Sequence, residues 1–235
     1  MKKSSPEEIR QKFNLLVDSY SDLDAGQRTA VDSVKIAELI AKVAARVNAG
    51  ATEILDIGCG AGNYAIRILT YLPDANVTLV DLSEKMLERA AERTGTISKG
   101  RITRIWGDIR NILLPENHFD IVVAGTSLHH LRIDTEWKDV FDCIYRSLKP
   151  GGSFWISDLI KHDNTDVHQV LWENYSEFLV REAGEELRDW VFGQMQIEDS
   201  PRSLNYQIEL LQNTGFRNTE ILHKNMIFAA FGGVK

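Results

Sequence analysis

The segment Glu53-Ile54-Leu55-Asp56-Ile57-Gly58-Cys59-Gly60-Ala61-Gly62-Asn63-Tyr64 constrains the fold more than any other part of the chain. A short apolar run carries an acidic residue near its end, glycines follow at alternate positions, and Tyr64-Ala65-Ile66-Arg67-Ile68-Leu69 opens a helical pattern. Glycine here lets the chain reverse sharply and lets main-chain N–H groups approach a ligand, because no Cβ intervenes. A nucleotide-like cofactor is the first expectation. The dinucleotide fingerprint G-x-G-x-x-G does not stand here, since the third glycine comes one residue early and Asn63 follows it. A glycine cluster alone also makes ordinary turns, so the weight falls on what comes after.

What comes after is an alternation. Strand signals are read at 53–57, 76–81, 102–106, 119–124 and 153–157, with helices at 63–72, 83–93 and 135–148 between them. This pattern implies a doubly wound α/β fold, a parallel sheet with helices on both faces and right-handed crossovers. Before it lie two helices, Pro6 to Val17 and Thr29 to Val47, separated by a polar turn from Ser19 to Gly26. Beyond the fifth strand, His162 to Ser200 breaks the rhythm and reads as two inserted helices, acidic and aromatic. Ser200-Pro201 reads as the N-cap and first position of a last helix, which Gly215 stops. Two β runs, 219–222 and 226–231, are joined by His223-Lys224-Asn225, too short for a crossover, so this pair is antiparallel.

In an open parallel sheet, ligands bind beyond the carboxyl ends of the strands. The first strand delivers Gly58, Cys59, Gly60 and Gly62. The second ends in Asp81, about 20 residues past the loop, where a carboxylate can accept from both hydroxyls of a ribose; Leu82 and Met86 beyond it can pack on a base. The third ends in Gly107-Asp108-Ile109, a carboxylate and main-chain groups suited to the amino edge of adenine. The fourth ends in Ala124-Gly125-Thr126-Ser127-Leu128-His129-His130, open towards a second substrate.

Composition narrows the partners. The 235 residues suffice for one well-buried domain with an insertion. A net charge of −7 argues against a broad electrostatic grip on nucleic acid or anionic membrane and favours a small-molecule partner. The two cysteines, Cys59 and Cys143, suggest neither a disulfide framework nor a cysteine metal site, and no metal ligand set is read elsewhere. No apolar run is long enough to span a bilayer, and the expected compartment is the cytoplasm.

Asp56-Ile57-Gly58-Cys59-Gly60-Ala61-Gly62, Val80-Asp81-Leu82-Ser83, Gly107-Asp108, Phe119-Asp120-Ile121-Val122 and Leu148-Lys149-Pro150-Gly151-Gly152 together resemble the ordered signatures of the class I S-adenosylmethionine-dependent methyltransferases. The resemblance implies a Rossmann-like seven-stranded sheet with the last strand antiparallel, N-terminal helices and a helical insert after strand five. It implies one domain over 1–235, divided into an N-terminal cap (1–49), a cofactor core (50–160), an insert (161–200) and a final helix with hairpin (201–235). The implied cofactor is S-adenosylmethionine. Tyr20 would close over its methionine end, the Ala124 carbonyl would accept from its ammonium, and Asp56 would orient the loop from below. His129 is the catalytic candidate, against the plainer reading of a structural histidine.

The carboxyl-terminal part is also similar to carboxy-S-adenosylmethionine synthases, which hold an extra carboxylate with an arginine in the insert; this chain reads Leu187-Arg188-Asp189-Trp190 there. A nicotinamide-dependent dehydrogenase and a cofactor-binding module without turnover also fit a glycine loop on an open sheet.

Overall fold

The computed structural model describes residues 2–22 and 28–235, so the later part of the turn expected from Ser19 to Gly26 lies outside the described residues. In chain order the elements are α1 (Pro6–Leu15), α2 (Val17–Ser21), α3 (Ser33–Val47), β1 (Glu53–Ile57), α4 (Asn63–Leu69), β2 (Asn76–Asp81), α5 (Glu84–Gly95) and β3 (Ile102–Trp106). They continue with β4 (Phe119–Gly125), α6 (Asp134–Ser147), β5 (Leu148–Leu159), α7 (Thr165–Glu198), α8 (Leu204–Thr214), β6 (Arg217–Asn225) and β7 (Phe228–Val234). Short 3-10 turns stand at Ile109–Asn111 and Leu128–His130.

One sheet takes the seven strands in the order β3-β2-β1-β4-β5-β7-β6. β3, β2, β1, β4 and β5 run parallel, and β7 is antiparallel to both its neighbours, as expected of the last strand. Because side chains alternate along a strand, consecutive residues feed opposite layers. Ile54, Val77, Leu79 and Val123 pack under α3, α4 and α5, against Ile40, Ile68 and Leu87. Leu55, Val80, Val122 and Phe154 pack on the other face under α6 and α8, against Trp137, Phe141 and Leu211. The order of connection reverses between β1 and β4, which sets a ligand crevice at their carboxyl ends.

Several boundaries differ from the sequence reading. α1 stops at Leu15, after a capping box in which the Glu8 N–H donates to Ser5 Oγ (3.3 Å) and the Ser5 N–H donates to Glu8 Oε2 (2.6 Å). Val17–Ser21, expected partly as turn, is the separate helix α2. The cap of α8 is Ser203, whose Oγ accepts from the Tyr206 N–H (3.2 Å); Ser200 instead donates its N–H to the His129 carbonyl (2.7 Å). The final hairpin turns at Met226-Ile227, with Met226 at φ 48°, and His223-Lys224-Asn225 belongs to β6. His223 and Asn225 both meet Asp32 Oδ2 at 2.8 Å.

The insert is helical over Thr165–Glu198 but breaks at Ala183 and Gly184, where Gly184 takes φ 83° and ψ −179°. Two helical segments result, as expected. They cover a third apolar cluster of Leu159, Tyr175, Leu179, Val191 and Phe228. Among the described residues no helix is long and apolar enough to cross a membrane.

Candidate cofactor cleft and adjoining chamber

The loop after β1 is held by its own neighbours. The N–H groups of Cys59, Gly60 and Gly62 are donated to the Val80 carbonyl (3.0 Å), Asp81 Oδ2 (2.8 Å) and the Cys59 carbonyl (2.8 Å). These three donors, expected to point at a ligand, are thus satisfied inside the protein. What the loop offers instead is room: Gly60 has φ 50°, and no atom lies within 4 Å of where a Cβ would stand. Gly62 caps α4 against Ala90 and does not line the cleft.

The cleft, of about 1070 Å³ with its open mouth included, lies over the ends of β1, β2, β3 and β4. Gly58, Cys59, Gly60, Asp81, Leu82, Met86, Gly107, Asp108 and Ile109 line it from the sheet side. Pro6, Ile9 and Phe13 of α1 and Tyr20 of α2 close it from above. α1 is fastened there by Asn14 Oδ1, which accepts from Ser83 Oγ at 2.6 Å, and the Phe13 and Tyr20 rings meet edge to face at 5.7 Å.

Asp81 receives N–H bonds on both oxygens, from Gly60 and, at 2.7 Å, from Ser83. Burial pushes its carboxyl up to about 6, against the lowering effect of those bonds. Asp108 is likewise pushed up by burial, but Arg110 outweighs it and holds the carboxyl below the usual range: its Nε donates to Oδ1 at 2.9 Å, and Nη2 pairs with Oδ2. Arg110, absent from the sequence reading, also reaches Glu136 at 3.0 Å.

Asp56 is buried below the loop, where Oδ2 accepts from the Ala65 N–H (3.1 Å) and Oδ1 has no hydrogen-bond partner; burial raises it to about 8. Ala124 lies inside the sheet between Ile57 and Ile156 and does not line the cleft; Gly125, one residue on, does.

Phe13, Tyr20, Thr126 and His130 line this cleft and also a second cavity of about 740 Å³ beneath α7. Leu159, Tyr175, Trp190, Val191, Met195 and Phe228 give that chamber apolar walls, and Lys12, Glu198, Asp199 and His129 give it a charged end. His168, Arg181, His223 and Lys224 line neither cavity. Nor does Arg188, which pairs with Asp189 at 2.8 Å.

His130 belongs to both cavities, whereas His129 faces only the chamber. Asp158, at the end of β5, fixes His129: Oδ1 pairs with Nδ1, and Oδ2 accepts the His129 N–H at 3.0 Å. Burial pushes the His129 ring down, but Asp158 and Asp199 outweigh it and raise the ring to about 9, so it is protonated at neutral pH. Asp158 was open to the same strand-end reasoning that found Asp81.

Residues 54–152 match a family described as a methyltransferase domain. The core of this chain belongs to the class I S-adenosylmethionine-dependent methyltransferases. Among curated relatives, the sterol 24-C-methyltransferase erg6 of Aspergillus fumigatus is 30% identical over 73% of this chain and 40% of its own length. The 27-O-demethylrifamycin SV methyltransferase of Amycolatopsis mediterranei is 36% identical over 46% of this chain and 39% of its own. The matches therefore span less than half of these relatives. Human N-acetylserotonin methyltransferase, solved with S-adenosylmethionine, shares the fold at a TM-score of 0.60 and 21% identity, over 98% of this chain and 56% of that one.

The residues present suit the methyltransferase cofactor. A carboxylate with two oxygens stands at the end of β2, an uncluttered glycine stands beside it, and apolar side chains lie beyond for a base.

Proposed function

We propose that the protein moves a methyl group from S-adenosylmethionine to a small molecule held in the chamber beneath α7. The observation that carries this reading is Asp81, a carboxylate with spare acceptor capacity on a cleft that shares four residues with a second, apolar chamber. When bound, S-adenosylmethionine supplies a methyl group already activated by its sulfonium, so the chain's task is chiefly placement.

In this reading Asp81 accepts from the sugar hydroxyls, Leu82, Met86 and Ile109 pack on the base, and Gly107 and Asp108 meet its amino edge. Gly58, Cys59 and Gly60 make room for the amino-acid end, which Tyr20 covers. Asp56 and Gly62 brace α4 from below, and Ala124 sets the height of the β4 loop. His129 is the catalytic candidate: it stands at the charged end of the chamber, where it can meet the acceptor's heteroatom. The apolar walls favour an acceptor with an apolar body.

In the same reading the chain is one domain over 1–235, with a cap at 1–49, a core at 50–160, an insert at 161–200 and a closing helix and hairpin at 201–235. Two free cysteines suit a reducing, cytoplasmic setting.

The test is incubation of the protein with S-adenosylmethionine labelled in its methyl group and a small-molecule extract. Label is expected in a low-mass product. Absence of transfer, together with calorimetric binding of NAD but not of S-adenosylmethionine, would contradict the reading.

A further inference from the structure

At the charged end of the chamber three donor atoms stand around one point. His129 Nε2 lies 3.6 Å from Asp199 Oδ1, His130 Nδ1 lies 3.4 Å from the same oxygen, and the set falls within 4.8 Å. The spacing is poor for direct hydrogen bonds, and His130 Nδ1 is buried without a hydrogen-bond partner. It is the right spacing for ligands of one ion: atoms at about 2.1 Å from a tetrahedral centre stand about 3.4 Å apart.

The surroundings fit as well. Asp158 engages Nδ1 of His129, which leaves Nε2 turned towards Asp199, the carboxylate–histidine arrangement that orients metal ligands. Asp158 is itself fixed by the N–H groups of His129 (3.0 Å) and Leu159 (2.7 Å). The two chain segments that supply the ligands are tied together by the Ser200 N–H, which donates to the His129 carbonyl at 2.7 Å. Lys12 is paired with Glu198.

We propose that His129 Nε2, His130 Nδ1 and Asp199 form a site for a divalent first-row transition ion, of which zinc suits the donor set best, with its remaining positions open to the chamber. The sequence reading found no metal set because Asp199 is remote in the chain from the histidine pair. The site does not rest on the methyl-transfer reading, and its test uses no methyl donor; with the ion bound, His129 would meet an acceptor's heteroatom through the ion, since both of its ring nitrogens are engaged.

Tag-free protein, stripped with chelator, is titrated with Zn²⁺ and with Co²⁺ by calorimetry and visible absorption. One equivalent is expected to bind. Asp158→Asn should weaken binding about 10- to 100-fold and Asp199→Asn by at least as much, while His162→Gln, at a histidine that does not line the chamber, should change nothing. X-ray absorption of the zinc-loaded wild type, which needs no variant, should show two imidazoles with oxygen and no sulfur. The proposal is overturned if the wild type takes up no stoichiometric ion, if the spectrum lacks two imidazoles, or if folded Asp199→Asn binds as tightly as wild type.

Discussion

Asp56 is buried and Asp81 half-buried, and both carboxyls are raised by loss of hydration, with separate outcomes. For Asp81, sugar hydroxyls need the ionised form as acceptor. Affinity for S-adenosylmethionine should therefore be flat above pH 7 and fall as pH drops below about 6, which calorimetry across pH 5 to 8 checks. For Asp56, a carboxyl raised on folding favours the folded state most below its unfolded value and progressively less as pH climbs towards about 8. Asp56→Asn keeps an acceptor for the Ala65 N–H and removes the titration. Its urea stability should lack a decline of roughly 1 kcal/mol per pH unit that the wild type shows between pH 6 and 8. Asp81 was legible because strand, glycine loop and second strand end have a fixed rhythm. Arg110 was not, because its partners Asp108 and Glu136 meet only once β3 and α6 are packed.

At the scale of elements, kinds were legible and ends were not. The five parallel strands announce themselves by apolar runs with polar punctuation, whereas ends are decided by tertiary partners. Ser200 looks like a cap, but its N–H is claimed by His129 and the cap passes to Ser203. His223 and Asn225 look like turn residues because they are polar, yet they sit in a strand and face Asp32 of the α3 cap. The break in α7 makes a testable case. Gly184 occupies a backbone region closed to residues with a Cβ, with no neighbour within 4 Å, so any cost of substitution is conformational. Gly184→Ala should destabilise the protein by about 1–3 kcal/mol in chemical denaturation, where an ordinary glycine-to-alanine change in a helix would stabilise it.

For the molecule as a whole, the sheet order and the cleft follow from connectivity, which is why a single chain read in sequence sufficed to place the strand ends around one cleft. The chamber beneath α7 was out of reach of such reading. Its walls bring Thr29, Leu159, Tyr175, Met195 and Phe228 together across most of the chain, and no local pattern records that meeting. The central claim remains that strand ends gather on S-adenosylmethionine with Asp81 as its anchor. Calorimetry at pH 7.5 on wild type and Asp81→Ala tests it directly. The account predicts one equivalent bound by the wild type and an affinity about 10- to 100-fold lower in the variant, the loss of hydrogen bonds to a charged acceptor. Equal affinity in the two proteins, or no binding by the wild type, would contradict it.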